Sequence, residues 1–80
     1  MSSTLILYGT LGCHLCEEAL QLAAPVAEYA GVTLREVDIA GDDALEEAYA
    51  LSIPVLERQP QGERLYWPFD RAQVETLLRS

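Results

Sequence analysis

The hydrophobic period of this chain changes at Gly9. Before it, Thr4-Leu5-Ile6-Leu7-Tyr8 is a continuous strand-like run, of the kind buried on both faces of a sheet. After it, from Cys13 to about Ala30, the apolar residues Cys16, Ala19, Leu20, Ala23, Val26, Ala27 and Ala30 recur at spacings of three and four. Glu17, Gln21 and Glu28 fall on another side, so the segment reads as an amphipathic helix stopped by Gly31. Pro25 lies on the polar side, where water can satisfy the carbonyl it crowds, and a kink is expected there, not a break. Val32 to Ile39 reads as a second strand, with Val32 and Leu34 on one face and Thr33, Val37 and Ile39 on the other. Strand, long helix and strand in succession predict a right-handed βαβ unit with parallel strands.

The remainder is shorter-grained. Gly41 opens a second helix, with Asp43 and Glu46 spaced as a capping box and Leu45, Ala48 and Tyr49 facing inward; Ile53-Pro54 ends it. The acid-rich stretch from Asp42 to Glu47 is a solvated face. Val55 to Arg58 and Arg64 to Trp67 predict an antiparallel hairpin around Gln59-Pro60-Gln61-Gly62-Glu63. Tyr66 and Trp67 point to opposite faces, so one of them is expected to be exposed. A last helix starts at Asp70 as N-cap, with Gln73 three residues on, Phe69 packing on Val74 as a staple, and Val74, Leu77 and Leu78 buried. The expected order is β-α-β-α-β-β-α, an α/β arrangement in one domain spanning residues 1–80.

The two cysteines of the chain, in Gly12-Cys13-His14-Leu15-Cys16, lie where strand gives way to helix. A thiol attacks a disulfide as its thiolate, and the unpaired N–H groups and partial positive charge of a helix start stabilise that anion. Residues three apart are neighbours on a helix, so Cys16 can reach a mixed disulfide formed at Cys13 and close a ring. A protonated His14 would favour the Cys13 thiolate, increasingly so on acidification, whereas Glu17 and Glu18 act in the opposite sense. A mild activation is the expected balance. Two other readings stay open: a binding module in which the cysteines are incidental, and a metal or Fe–S cluster. Cys13, His14 and Cys16 cannot complete a four-ligand zinc site alone, so a metal would be shared between two chains.

The element order, with Cys13-His14-Leu15-Cys16 after the first strand and Ile53-Pro54-Val55 before the third, resembles the thioredoxin superfamily, and most closely its compact glutaredoxin-like branch. The resemblance covers nearly the whole chain. It implies a thioredoxin-like, glutaredoxin-type fold, with a four-stranded mixed sheet in the order second, first, third, fourth, flanked by three helices. It further implies a thiol–disulfide oxidoreductase in which Cys13 is the attacking thiolate and Cys16 the resolving thiol. Pro54 is then a cis-proline that presents the N–H and C=O of Ile53 to an extended substrate, as an added strand would be bound. Several departures from glutaredoxins touch glutathione. Thr10 stands where many members carry a lysine, and Pro68-Phe69 replaces a glycine pair before the acidic residue, here Asp70. The intervening His-Leu, which matches neither the Gly-Pro of thioredoxins nor the Pro-Tyr of many glutaredoxins, bears instead on redox poise. The lack of lysine and the Glu17-Glu18 pair after Cys16 suit a dicarboxylate tripeptide poorly. Glutathione is therefore a disfavoured co-substrate, and no tightly bound cofactor or resident metal is expected.

Composition narrows the partners. Thirteen acids against five arginines and no lysine give a net charge of −8, which disfavours nucleic acid and anionic membrane surfaces. The short N-terminal apolar run lacks a basic flank and fits neither a secretory signal nor a membrane span. A cytoplasmic monomer acting on disulfide-bearing proteins or small thiol compounds is the resulting expectation, and in that reducing compartment paired cysteines read as catalytic before structural.

Overall fold

Seven elements follow one another in the computed structural model, which describes residues 3–79: β1 (Thr4–Gly9), α1 (His14–Ala30), β2 (Thr33–Asp38), α2 (Asp43–Tyr49), β3 (Val55–Gln59), β4 (Glu63–Tyr66) and α3 (Arg71–Arg79). The sheet runs β2-β1-β3-β4, with β1 parallel to β2, antiparallel to β3, and β3 antiparallel to β4. This is the mixed sheet with three helices that the resemblance implies, and it contains the βαβ unit and the hairpin read from the residues. β1 lies between two partners, Tyr8 facing Val37 on one side and Val55 on the other. That position explains why its apolar residues do not alternate with polar ones.

The two faces of the sheet are unequal. One buries Leu5, Leu7 and Leu56 beneath α1 and α3, together with Ala19, Ala23, Val26, Ala27, Phe69, Val74 and Leu77. Each large side chain fully withdrawn from water contributes about 1.5–3 kcal/mol, which makes this cluster the main source of stability. The opposite face packs Ile6, Tyr8 and Val55 against Ile39 and the Tyr49 of α2. Tyr8 and Tyr49 stack with ring centroids 4.6 Å apart. Tyr66 is exposed, whereas Trp67 meets Phe69 edge-on at 5.1 Å, so the expected division between them is observed.

β3 carries two charged residues into this interior. The Glu57 carboxylate accepts hydrogen bonds from the Tyr8 hydroxyl at 3.0 Å and Gln59 Nε2 at 3.0 Å, and pairs with Arg64 Nε at 2.8 Å. Arg58, on the other face, donates from Nη1 to the carbonyl of Leu77 at 2.9 Å and from Nη2 to Ser3 Oγ at 3.3 Å. Buried charge persists where such partners replace water. Burial, reinforced by the hydrogen bond to Glu57, pushes the Tyr8 hydroxyl pKa up to about 12.

Several local expectations are corrected. The N-cap of α2 is Asp42, not Asp43, and its Oδ1 accepts the N–H of Leu45 at 3.0 Å. Because the residue three beyond this cap is Leu45, no side-chain acceptor returns the bond, and the Asp43–Glu46 box does not form. α2 also ends at Tyr49, before Ile53-Pro54: the Tyr49 carbonyl accepts the N–H groups of both Ser52 and Ile53, turning the chain early. Ala30 and Ala48, assigned inward positions by spacing, are exposed near the ends of their helices. α1 continues unbroken past the exposed Pro25 and closes at Gly31, whose φ of 71° is left-handed and sterically easy only for glycine. No described helix is long and apolar enough to cross a membrane.

Candidate functional site

Gly9 ends β1, and a turn through Thr10, Leu11 and Gly12 delivers the chain to α1. The N–H of Cys13 donates to the carbonyl of Thr10 at 3.3 Å, closing that turn, and Gly12 adopts a φ of 77°. Cys13 is the N-cap of α1: its backbone is extended, and its sulfur accepts the N–H of Cys16 at 3.1 Å. That N–H is one of the donors a helix start otherwise leaves to water. Cys13 and Cys16 form a disulfide with their Cα atoms 5.2 Å apart. The two sulfurs occupy different settings, for Cys13 is half-buried and Cys16 is buried, with 8% of its surface exposed.

Gly9 makes the burial of Cys16 feasible. A Cβ at that position would stand 2.9 Å from Cys16 Sγ and 3.1 Å from its Cβ, closer than side chains tolerate. Sequence reasoning treats Gly9 only as the end of a strand and misses this contact. The available signal is its place as a glycine inside the ladder, paired with Asp38, which marks a close approach by another group.

The other candidate residues are distributed around this turn. His14 is exposed, with Nδ1 3.8 Å from a Glu17 carboxylate oxygen and Nε2 3.3 Å from one of Glu18. Both ring nitrogens thus face carboxylates, which offset any positive charge the imidazole would present to Cys13. The Tyr8–Val55 register puts the end of β1 and the start of β3 at the same end of the sheet, so Pro54 immediately precedes the strand next to the one that feeds the cysteine turn. The Ile53-Pro54 bond is cis, Pro54 is buried, and its carbonyl accepts the N–H of Trp67 at 3.2 Å. The N–H of Ile53 is already committed, donating to Tyr49 at 3.0 Å. The expected presentation of both Ile53 backbone groups to a substrate is therefore reduced to its carbonyl, which accepts no hydrogen bond among the described residues.

At the start of α3 the capping box predicted from Asp70 and Gln73 is present. Asp70 Oδ1 accepts the N–H of Gln73 at 2.8 Å, and Gln73 Oε1 accepts the N–H of Asp70 at 2.9 Å. These two bonds satisfy the backbone N–H groups of Asp70 and Gln73 from within the box.

A four-stranded mixed sheet with a Cys-x-x-Cys pair at the head of its first helix and a proline at the head of its third strand defines the thioredoxin-like class. The model of the glutaredoxin-like domain (DUF836) matches residues 4–79, and the chain belongs to that family. No curated protein matches the sequence. Among solved structures, protein XcR50 of X. campestris is 38% identical, with 95% of this chain and 96% of that one covered and a TM-score of 0.78. Protein Ne2328 of Nitrosomonas europaea is 26% identical over 95% of this chain and 91% of its own, with a TM-score of 0.80. A malarial protein at 14% identity, covering 99% of this chain and 96% of its own with a TM-score of 0.74, shares the fold alone. Family and cysteine pair together fit a redox role.

Proposed function

We propose that the protein is a thiol–disulfide oxidoreductase in which Cys13 attacks and Cys16 resolves. The observation that carries this reading is the inequality of the two sulfurs: Cys13 is the more accessible and caps a helix, whereas Cys16 is buried one turn on. In the reduced protein the Cys13 thiolate attacks one sulfur of a substrate disulfide, that bond breaks, and the departing thiolate takes up a proton. Cys16 then loses its proton and attacks Cys13 Sγ, releasing the second substrate thiol and leaving the Cys13–Cys16 disulfide. Two electrons have passed from protein to substrate, and an external thiol system restores the dithiol. Substrates are disulfide-bearing proteins or small thiol compounds, and the Ile53 carbonyl is the backbone group we assign to receiving an extended segment. Glutathione is disfavoured by the absence of lysine and by the self-satisfied cap at Asp70.

Replacing the resolving thiol tests the assignment. Cys16→Ser should accumulate a mixed disulfide with a model substrate that maps to Cys13 by mass spectrometry of unreduced peptides. A variant that turns over normally and traps nothing would refute these roles.

A further inference from the structure

On the β2 side of the disulfide, across β1 from Pro54, the surface opens into a cavity of about 380 Å³. The cysteine pair lines one part of it, with Leu7 and Leu20 as apolar lining and the exposed carboxylates of Glu17, Glu36 and Asp38 at the rim. Among the described residues, no lysine, arginine or histidine lines it. Glu17 shares His14, and Asp38 accepts the N–H of Ala40 at 2.9 Å. The Glu36 side chain, on the residue that faces Leu7 in the strand register, has no hydrogen-bond or ion-pair partner among the described residues.

We infer that this cavity selects the substrate: it receives the side chain of an arginine or lysine adjoining the reacting cysteine of a polypeptide disulfide. The inference rests on the exchange reaction proposed above. An apolar lining under an acidic rim matches a side chain with an aliphatic stem and a cationic head, which buries the first and keeps the second at the water boundary. Leu11, 89% exposed, lines the cavity, and the half-exposed Leu15 lies within the cysteine motif. Both offer apolar contact to flanking residues of a polypeptide, which a small disulfide would leave uncovered. The net charge of −8 draws basic partners from a distance, and the rim then discriminates at contact.

The chemistry is unchanged: the substrate disulfide gains two electrons and becomes two thiols, and Cys13 and Cys16 become a disulfide. The test measures single-turnover rates of the pre-reduced protein on three symmetric peptide disulfides, alike except for arginine, glutamine or glutamate beside the cysteine. The arginine peptide should react about tenfold faster than the glutamate peptide at low salt. Glu36→Gln should narrow that ratio and Glu36→Arg should reverse it, whereas Glu47→Arg, the same charge change on α2 outside the cavity, should leave it in place. Equal rates on all three peptides would overturn the inference and leave the exchange reaction standing. A ratio shifted as much by Glu47→Arg as by Glu36→Arg would also overturn it, because net charge alone would then explain the preference. Failure to reduce any peptide would remove the exchange reaction and this inference with it.

Discussion

The starts of α1 and α3 solve one problem with different chemistry. Both must satisfy N–H groups that have no partner within the helix. α3 does so with a carboxylate and a carboxamide that bond each other's backbone, leaving nothing to react. α1 uses a single sulfur, which accepts one N–H and returns none, and that sulfur belongs to a pair able to make and break a covalent bond. A sulfur is a poorer acceptor than a carboxylate, so α1 relies on its packed face for stability: Ala19, Ala23, Val26 and Ala27 are all buried. Under the proposed function, the contrast separates a cap that serves folding from one that serves chemistry.

Substitutions can break the contrast at either end. The largest effect is expected at Cys13: Cys13→Ser should lower disulfide exchange by at least about a thousandfold. Calorimetry should nonetheless find it as stable as the reduced parent, since serine is a good N-cap. Marked destabilisation would show the sulfur to be structural. Next comes Gly9→Ala, whose methyl meets Cys16 Sγ. A cost of about 2 kcal/mol is expected, with slower ring closure seen as a longer-lived Cys13 mixed disulfide. Unchanged stability and kinetics would mean that Cys16 has room to shift. Asp70→Ala is the mirror experiment, with a loss of about 1 kcal/mol in urea unfolding and no change in exchange rate.

The smallest effect is invisible at neutral pH. The Tyr8 pKa lies at about 12 in the fold against the ordinary 10.0, so its contribution is complete below pH 10 and is lost as pH rises toward about 12. Stability should fall across that interval in the parent, and this decline should be weaker in Tyr8→Phe. An identical alkaline decline in both proteins would assign it to other groups.

Much of this arrangement can be read from the sequence because it is local. The period change at Gly9, the cap at Asp70 and the turn around Gly62 depend on neighbours within a few residues, whereas the strand order comes from the family resemblance and not from the local pattern. What escapes is set by contacts that no residue pattern announces. Glu57 and Arg58 end a hairpin strand in the sequence, yet β3 is interior to the sheet: Arg64 faces Glu57 within the hairpin, but Tyr8, Leu77 and Ser3 reach the pair from other parts of the chain. The capture of the Ile53 N–H by Tyr49 is equally hidden, because proline at 54 signals only that the helix must stop. At the candidate site the thiol pair and the inward place of Cys16 on the apolar stripe are legible, whereas the close approach of Gly9 that leaves room for its sulfur is not.

The inequality of the two sulfurs is the central claim, and alkylation measures it directly. The reduced protein, treated with less than one equivalent of iodoacetamide and mapped by mass spectrometry, should carry the label on Cys13 with Cys16 largely unmodified. Equal labelling, or label on Cys16 first, would contradict the assignment of Cys13 as the attacking sulfur.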